Sequence, residues 1–317
     1  PALTDYGKSK TFTFGDVATE IARIHLLFHE CQVRRGDKIA LIGKDSSRWC
    51  IAYMAVVTYG AIIVPILQDF NPNDVHHIIN HSESVFLFVS DRIWDSLEED
   101  KIEEVRGVFS LSEYPDGFTQ EDIKYAELDN DKVVEINYTS GTTGFSKGVM
   151  LTGNNLAGNV TYARTLDLLF RGERELCFLP LAHAYSCAFN LLVPMAFGVH
   201  VYLLGKVPSP KILLKAFEEV KPNLILMVPL ILEKIYKKMI LPQLNKRTLK
   251  LALNIPLLDS RIYAQIRKHL VDALGGRFRE VIVGGAAMNQ EVTDFLYKIK
   301  FPFTIGYGMT ECGPLIS

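Results

Sequence analysis

The sequence predicts an α/β protein with two stacked, mainly parallel lobes, and three observations support this fold class. Short apolar runs alternate repeatedly with amphipathic stretches, as in successive β–α units. The apolar runs are continuous, which is typical of parallel strands covered on both faces. The predicted strands are also too numerous for one ordinary sheet. We therefore expect two lobes, formed roughly by residues 43–170 and by residues 10–35 together with 175–317.

The elements follow from local patterns along the chain. Continuous apolar runs predict strands at 39–42, 61–66, 85–89, 105–111, 133–136, 176–179, 199–204, 224–228, 281–283 and 303–305. Helical patterns span 47–59, 73–80, 154–169, 210–220, 230–239, 261–274 and 290–300. Ser209 is a suitable N-cap with Pro210 in the first helical position. The acidic segment 117–132 is predicted to be a loop, and residues 237–259 give no clear pattern.

Composition limits the classes of function. The chain has 317 residues, 48% hydrophobic and 22% charged, with a net charge of −2, which is globular and gives no support for nucleic-acid binding. Five scattered cysteines without a C-x-x-C pair fit reduced thiols in a cytoplasmic protein. Residues 176–205 lack Asp, Glu, Lys and Arg, yet prolines, histidines and an asparagine interrupt them. A buried strand, helix and second strand explain this stretch better than a membrane span.

A stretch rich in glycine and hydroxyl residues carries most of the functional information. Residues 138–148 read YTSGTTGFSKG, after the predicted strand at 133–136 and before a helix opening near Asn154. Glycines allow close approach of a ligand, and hydroxyls, backbone N–H groups and a lysine can bind phosphate oxygens. Strand, loop and helix form a common phosphate site. The candidate polyphosphate-binding residues are Thr139, Ser140, Gly141, Thr142, Thr143, Gly144 and Lys147.

Two other interpretations of this stretch are less favourable. A plain surface connector would not require so ordered a run ending in Lys-Gly, although such residues do favour turns. A Walker-type ATPase would have G-x-x-x-x-G-K followed by Ser or Thr. Here Gly148 follows Lys147 and no glycine directly precedes the lysine, so the Walker spacing fails.

A second candidate segment follows the last predicted strand and reads GYGMTE over residues 306–311. It lies at the strand end where α/β proteins bind ligands. Tyr307 offers an aromatic face for a flat base, and Thr310 offers a hydroxyl for phosphate. Glu311 is a hard oxygen ligand suited to Mg²⁺ held jointly with phosphate oxygens. A tight turn with a surface glutamate explains the same letters, so this segment alone leaves both interpretations open.

Two further segments contain candidate residues. Residues 283–288 read VGGAAM, whose small side chains leave room for a ligand or mark a strand-to-helix turn with Asn289 as N-cap. Both interpretations can hold together. The segment LPLAHAY places His183 in apolar company, where a lone histidine is more often a core residue than a catalyst.

Other histidines and cysteines are not assigned a site. His76, His77 and His81 have no acidic or cysteine partners in sequence, so we expect them on a helix surface rather than at a metal. Cys312 adjoins Glu311, but no histidine pairing is evident that would make it a nucleophile.

Together the motifs resemble those of the adenylate-forming superfamily, which includes acyl-CoA synthetases, luciferases and adenylation domains of peptide synthetases. The resemblance rests on YTSGTTG-x-x-KG followed about 160 residues later by YGMTE, and it covers the chain from residues 11–14 onward. LPLAHAY, residues 235–238 and residues 274–279 look most like long-chain fatty acyl-CoA synthetases. The fold implied is two stacked α/β lobes of a large N-terminal domain, with an incomplete accompanying β-barrel.

The resemblance implies a role for each matching position. Residues 140–147 would hold the β- and γ-phosphates of ATP. Gly284, Gly285 and Ala286 would border adenine and the acyl group. Tyr307 would stack on or flank adenine, and Gly306 and Gly308 beside it are further nucleotide-binding candidates. Three positions would be catalytic. Thr310 would contact the α-phosphate, and Glu311 would bind Mg²⁺, with Thr142 as a further candidate ligand of the ion. His183 would lie at the acyl pocket, near the carboxylate or a gate.

The resemblance also implies the reaction and its ligands, namely ATP, Mg²⁺, a fatty acid and coenzyme A. A carboxylate would attack ATP to give an acyl-adenylate and pyrophosphate, and coenzyme A would then give a thioester and AMP. The alternatives are a ligase for an aryl or amino acid and a nucleotide-binding module without turnover. We expect residues 1–317 to be a truncated N-terminal domain without the mobile C-terminal domain that carries the adenylation lysine. A cytoplasmic location is expected, with peripheral membrane contact and oligomeric state left open.

The motif departs from the family pattern at one position. Phe145 stands where the family usually has proline, a residue that stiffens a loop. Either a more mobile loop or packing of Phe145 on a neighbour is compatible with this departure. The phosphate-binding groups remain.

Overall fold

The computed structural model describes residues 1–112, 127–139, 146–245 and 258–316. Its strands form two open sheets, in agreement with the α/β class predicted from the sequence. Neither sheet closes into a barrel within the described part of the chain. The predicted lobe boundaries stay predictions.

The first sheet has six strands in the order β6-β5-β3-β4-β7-β8. It is parallel except for β8, which runs antiparallel to β7. The strands are β3 (Lys38–Ile42), β4 (Ile62–Ile66), β5 (Ser84–Val89), β6 (Gly107–Ser110), β7 (Val133–Thr139) and β8 (Lys147–Thr152).

The second sheet has seven strands in the order β13-β12-β11-β9-β10-β1-β2. It is parallel except for β2, which runs antiparallel to β1. The strands are β1 (Leu3–Asp5), β2 (Thr11–Phe12), β9 (Arg174–Cys177), β10 (His200–Leu203), β11 (Leu224–Met227), β12 (Glu280–Val283) and β13 (Phe303–Ile305).

Helices connect and cover the strands. They are α1 (Phe14–Glu30), α2 (Ser47–Tyr59), α3 (Pro72–His81), α4 (Asp91–Trp94), α5 (Gly153–Ala163), α6 (Ala184–Ser186), α7 (Val193–Phe197), α8 (Pro210–Val220), α9 (Pro229–Ile235), α10 (Leu241–Leu244), α11 (Leu258–Ala273) and α12 (Gln290–Lys298). The segments Cys187–Leu192 and Tyr236–Ile240 are π-helical, and short 3₁₀ turns occur at Glu99–Lys101 and Thr310–Cys312. Among the described residues, no helix is both long enough and apolar enough to cross a membrane.

Local chemistry explains several helix ends. Ser209 accepts a hydrogen bond from the backbone N–H of Ile212 and caps α8, as predicted. Helix α1 starts at a capping box, in which Thr13 and Asp16 satisfy each other's backbone N–H groups. Gly60 ends α2 in the left-handed region.

One apolar cluster joins the two lobes. It contains residues from α1 and α2 together with side chains of both sheets, such as Leu41 from β3 and Val201 from β10. The largest members, Trp49, Tyr53 and Phe28, are fully buried. The two helices therefore lie between the sheets and hold them in one stack.

The structure corrects three local expectations. The helix predicted over 154–169 ends at Ala163, and a strand, β8, precedes it where only a loop was expected. His76 is buried rather than on the surface, and its Nε2 accepts a hydrogen bond from the backbone N–H of Glu98 at 3.0 Å.

The charge-free stretch 176–205 folds as strand, helix and strand, as predicted.

Candidate active site

The base of the candidate phosphate-binding stretch is a hairpin. Thr139 at the end of β7 pairs directly with Lys147 at the start of β8. The candidates between them, Ser140, Gly141, Thr142, Thr143 and Gly144, lie outside the described residues, as does Phe145. The expected order of strand, loop and helix is therefore wrong, because a second strand separates the loop from α5.

Close packing fixes the register of this hairpin. A Cβ on Gly148 would lie 2.9 Å from Cγ2 of Ile136 and 3.2 Å from Cζ of Tyr138, so only glycine fits without displacing them. The hydroxyl of Tyr138 lies 2.7 Å from Nδ1 of His81 on α3. The Lys147 side chain is exposed and forms no ion pair with a described residue. The lysine therefore projects from a firmly packed base.

The GYGMTE segment folds back on itself after β13. The backbone N–H of Gly306 donates to the carbonyl of Val283 at 2.9 Å, which ties the segment to the end of β12. The N–H of Met309 donates to Pro314 O at 2.9 Å, and a Cβ on Gly308 would collide with that oxygen. This reversal presents Thr310–Cys312 as a 3₁₀ turn.

That turn contacts the hairpin and the following helix. The 3₁₀ turn packs against β8, and the side-chain amide of Asn159 on α5 donates to the carbonyl of Gly313. A Cβ on Gly313 would lie 3.0 Å from Cβ of Asn155, so helix and turn are in close contact. Two motifs about 160 residues apart in sequence therefore meet at one place. The carboxylate of Glu311 is exposed there and makes no side-chain hydrogen bond or ion pair within the described ranges.

The end of β12 is shaped by close approach of an aromatic ring. A Cβ on Gly284 would lie 3.2 Å from Cζ of Tyr185, whose hydroxyl donates to Ile282 O at 3.2 Å. Gly285 has φ +88°, a conformation that favours glycine. The small residues predicted here thus serve both packing and turn formation, and Asn289 caps α12 as expected.

His183 lies just before α6 with its ring open to a cavity. Its backbone N–H donates to Pro180 O at 3.1 Å, and its ring forms no hydrogen bond with a described residue. Surrounding protein desolvates the ring and lowers the pKa of His183 below its ordinary 6.5. The imidazole is therefore neutral at pH 7, so it can bind a ligand through hydrogen bonds or packing without a full positive charge.

A cavity of about 640 Å³ gathers seven of the eleven predicted site residues that the structure describes. Those that line it are His183, Gly284, Gly285, Gly306, Tyr307, Gly308 and Thr310. Apolar side chains complete much of its wall, among them Leu166, Leu168, Leu179, Phe189, Val228, Ile282 and Leu315. Ala286, Thr139, Lys147 and Glu311 are not part of the lining. The cavity thus joins the GYGMTE turn to an apolar compartment.

A buried carboxyl group supports the helical wall of the cavity. Glu175 on β9 accepts a hydrogen bond from Nδ2 of Asn190 at 2.5 Å, and Ser186 Oγ donates to Asn190 Oδ1 at 3.1 Å. Burial raises the pKa of Glu175 well above its ordinary value. Asn190 lies in the π-helical segment, a form often found at functional sites.

Another buried carboxyl group lies in β7. Glu135 accepts hydrogen bonds from the hydroxyl of Tyr53 at 2.5 Å and from the amide of Asn137. Burial raises its pKa to about 7, although these two hydrogen bonds oppose the shift. Neither Glu135 nor Glu175 was predicted as a site residue, and the sequence signal for each is an acidic residue directly beside an apolar run.

Comparisons with known proteins agree with this arrangement. The AMP-binding enzyme family matches residues 1–317. The chain is 29% identical to long chain acyl-CoA synthetase 6, peroxisomal, of Arabidopsis thaliana, covering 98% of this chain and 49% of that protein. It is 27% identical to 4-coumarate–CoA ligase CCL1 of Humulus lupulus, covering 100% of this chain and 56% of that protein. The chain therefore spans about half the length of the curated relatives it matches.

Solved structures show the same fold. A long-chain-fatty-acid-CoA ligase, FadD1, from Archaeoglobus fulgidus superposes with a TM-score of 0.78 at 18% identity, covering 100% of this chain and 62% of that one. The N-terminal domain of FACL13 from Mycobacterium tuberculosis gives 0.75 at 20% identity, covering 98% of this chain and 73% of that one. On the family match, the two sheets and the paired motifs, the chain belongs to the AMP-binding enzymes of the adenylate-forming superfamily.

Proposed function

We propose that the whole protein is an AMP-forming acyl-CoA ligase that activates a fatty carboxylate. The observation that carries this proposal is the contact of the Thr310–Cys312 turn with β8, beside a cavity with an apolar wall. One ligand can then reach the phosphate-binding stretch and the apolar compartment at once. An acyl-adenylate has this form, because a polar nucleotide is joined directly to an acyl group.

The nucleotide would bind across the two motifs. Lys147 and the preceding residues would bind the β- and γ-phosphates, and Thr310 would contact the α-phosphate. Tyr307, which is 64% exposed, has a free ring face for adenine beside Gly306. Gly285 and Ala286 would lie along the base, where small residues leave the backbone accessible.

Glu311 fits a magnesium ligand. Magnesium in nucleotide sites is commonly held by one or two carboxylates together with phosphate oxygens and water. The Glu311 carboxylate meets this requirement, because it is exposed and has no competing partner within the described ranges. When bound, the ion would offset the phosphate charge that repels an attacking carboxylate. No group of three or more His, Cys, Asp or Glu side chains capable of holding a metal occurs among the described residues.

The acyl chain would occupy the apolar part of the cavity, and its carboxylate oxygen would attack the α-phosphorus with loss of pyrophosphate. Neutral His183 would border the carboxylate or the cavity entrance. Without a positive charge, it would not form an ion pair that holds the carboxylate away from the α-phosphorus. The thiol of coenzyme A would then displace AMP and form the thioester. Similarity to long-chain synthetases and the extent of the cavity favour a long fatty acid over a short one.

The 317-residue chain would bind nucleotide and acyl group without turnover. The chain spans about half the length of the curated relatives it matches, so we expect the complete reaction of the whole protein to need more than these 317 residues. We propose a cytoplasmic location with peripheral membrane contact.

The test is pyrophosphate exchange into ATP by the whole protein in the presence of fatty acids of 8 to 18 carbons. Fatty-acid-dependent exchange is expected, and its absence with every fatty acid would exclude the proposal. Calorimetry on the 317-residue chain provides a second test, in which ATP should bind without forming acyl-adenylate. In that assay Lys147→Ala should weaken ATP binding at least about tenfold, since hydrogen bonds to charged groups contribute about 1.5–3 kcal/mol. Lys132→Ala, at the opposite end of the hairpin, is the matched control and should bind ATP normally.

An aryl-CoA ligase is the second candidate, and the similarity to 4-coumarate–CoA ligase favours it. Tyr185 and Phe189 have ring centroids 5.9 Å apart beside the cavity, an arrangement that could also accept an aromatic ring. Exchange that depends on aromatic acids, with none on fatty acids, would select this alternative. Exchange with amino acids would instead indicate an amino-acid-activating domain.

A further inference from the structure

The cavity is lined mainly by apolar side chains, but one carboxylate, that of Glu280, also lines it. Successive side chains of a strand point to opposite faces, so Glu280, Ile282 and Gly284 share one face of β12, and all three line the cavity. Gly284 marks the end beside the GYGMTE turn. Leu168, which also lines the cavity, lies near Glu280, because its carbonyl accepts a hydrogen bond from Arg279, the neighbour of Glu280. The cavity therefore runs along β12 from the candidate nucleotide site to Glu280.

Glu280 is oriented by a second residue in the lining. The hydroxyl of Thr304 on β13 donates to Oε1 of Glu280 at 2.8 Å. Glu280 forms no ion pair in the part of the chain that the structure describes, because the adjacent Arg279 binds Glu173 instead, with Nη1 at 2.8 Å from Oε2. The second carboxylate oxygen of Glu280 thus has no protein cation to neutralise it, and it can accept a hydrogen bond from a ligand.

The length of the strand sets the position of this carboxylate along a bound chain. Glu280 lies four positions before Gly284 along the chain, which corresponds to about 13 Å at about 3.3 Å per residue. An extended hydrocarbon chain advances about 1.25 Å per carbon, given C–C bonds of about 1.5 Å. An acyl group whose carboxyl carbon lies at Gly284 would bring an atom about ten bonds further along, such as the oxygen of a 10-hydroxyl group, to Glu280.

We propose that Glu280 and Thr304 form a specificity site for a hydrogen-bond donor, a hydroxyl or amino group, about ten carbons from the activated carboxyl. This inference rests on the proposed function. An apolar chain end would displace water from Glu280 without replacing its hydrogen bonds, which is unfavourable, whereas a donor would replace them. Sites that hydrogen-bond a substrate group discriminate against analogues that lack the group.

Calorimetry on the 317-residue chain can test this with two acyl-adenylate analogues, decanoyl- and 10-hydroxydecanoyl-sulfamoyl adenosine. We expect the hydroxylated analogue to bind about fivefold to tenfold more tightly, the effect of one hydrogen bond to a partly exposed charged group. Glu280→Leu should abolish that preference, and Glu280→Gln, which keeps the shape and one acceptor, should reduce it. Glu218→Leu, on the exposed face of α8 and outside the cavity lining, should retain the full preference.

The outcomes separate this inference from the proposed function. Equal binding of the two analogues by the unmodified chain would overturn the specificity site and leave adenylate binding intact. The same preference in Glu280→Leu would overturn the assignment to Glu280. Failure of both analogues and of AMP to bind would instead refute the proposed function. Melting curves for each variant establish that it is folded before its affinities are compared.

Discussion

Replacing Gly284 by alanine tests whether Tyr185 and the end of β12 form one packed unit. The backbone of Gly284 is not in the left-handed region, so alanine introduces no conformational strain. Its Cβ would instead lie 3.2 Å from Cζ and 3.4 Å from both Cε2 and the hydroxyl oxygen of Tyr185. The ring must therefore shift by a few tenths of an ångström or more.

The expected cost has two parts. Overpacking of a well-filled site costs about 1–3 kcal/mol. A shifted ring also weakens the hydrogen bond from the Tyr185 hydroxyl to Ile282 O, now 3.2 Å long, which contributes about 1 kcal/mol. We therefore expect Gly284→Ala to lower the free energy of unfolding by about 1–4 kcal/mol. Because the ring borders the cavity, AMP binding should weaken as well.

Chemical denaturation of a matched set of variants measures this effect. Gly158→Ala, in the exposed interior of α5 with no atom within 4 Å of the added Cβ, should instead stabilise by up to about 1 kcal/mol. In a Tyr185→Ala background the added methyl meets no ring, so Gly284→Ala should then cost little. A cost that is equally large with and without the ring would refute the assigned contact.

Three further variants test the polar groups. Glu311→Gln in the whole protein should reduce Mg²⁺-dependent pyrophosphate exchange at least about tenfold with an unchanged melting temperature, and normal exchange would remove its metal role. Asn190→Ala should destabilise the chain by about 1–3 kcal/mol in urea, because Glu175 then loses its donor. Glu135 is protonated more readily in the folded chain, with its pKa raised from 4.5 to about 7, so its contribution to stability falls as pH rises from 4.5 to 7 and is constant above. In Glu135→Gln, the free energy of unfolding should decrease less between pH 4.5 and pH 7, by up to about 3 kcal/mol. Unfolding measured at a series of pH values tests this, and a pH profile unchanged by the substitution would exclude the raised pKa of Glu135.

Local signals predicted the elements that depend on few long-range contacts. Helix α2 spans the predicted residues, because its apolar run is bounded by Ser46 and Gly60, which cap it. Helix α8 begins at Pro210, as its cap predicts. The strands at 85–89 and 303–305 were likewise found close to their predicted bounds, since continuous apolar runs leave few alternatives.

Local sequence signals did not predict the strand β8. Its first residues, Lys147 and Gly148, favour turns and exposed positions, and their pattern suggested only a loop. Pairing with β7 overrides that local preference, and Gly148 is in fact required where the strand passes over Tyr138. Local propensity predicts strands poorly when pairing and packing decide the outcome.

The buried carboxyl groups were missed for a related reason. Glu175 looks like an ordinary outward-facing residue of a strand, and its partner Asn190 lies on a later helical segment. Glu135 depends on Tyr53, which reaches it from α2, 82 residues earlier in the chain. The partners of such groups are set by tertiary structure, so a sequence pattern can locate the carboxyl without revealing its raised pKa.

The candidate site depends on the stacking of both sheets rather than on either motif alone. The hairpin that carries Lys147 belongs to the six-stranded sheet, whereas the turn that carries Glu311 continues from the seven-stranded one. Helix α5 follows the hairpin directly, and its Asn159 donates to Gly313 just beyond the turn. Any change in the relative position of the two sheets would therefore separate the lysine from the carboxylate. The large apolar cluster between the sheets, centred on buried residues such as Trp49, is for this reason also a determinant of the site geometry.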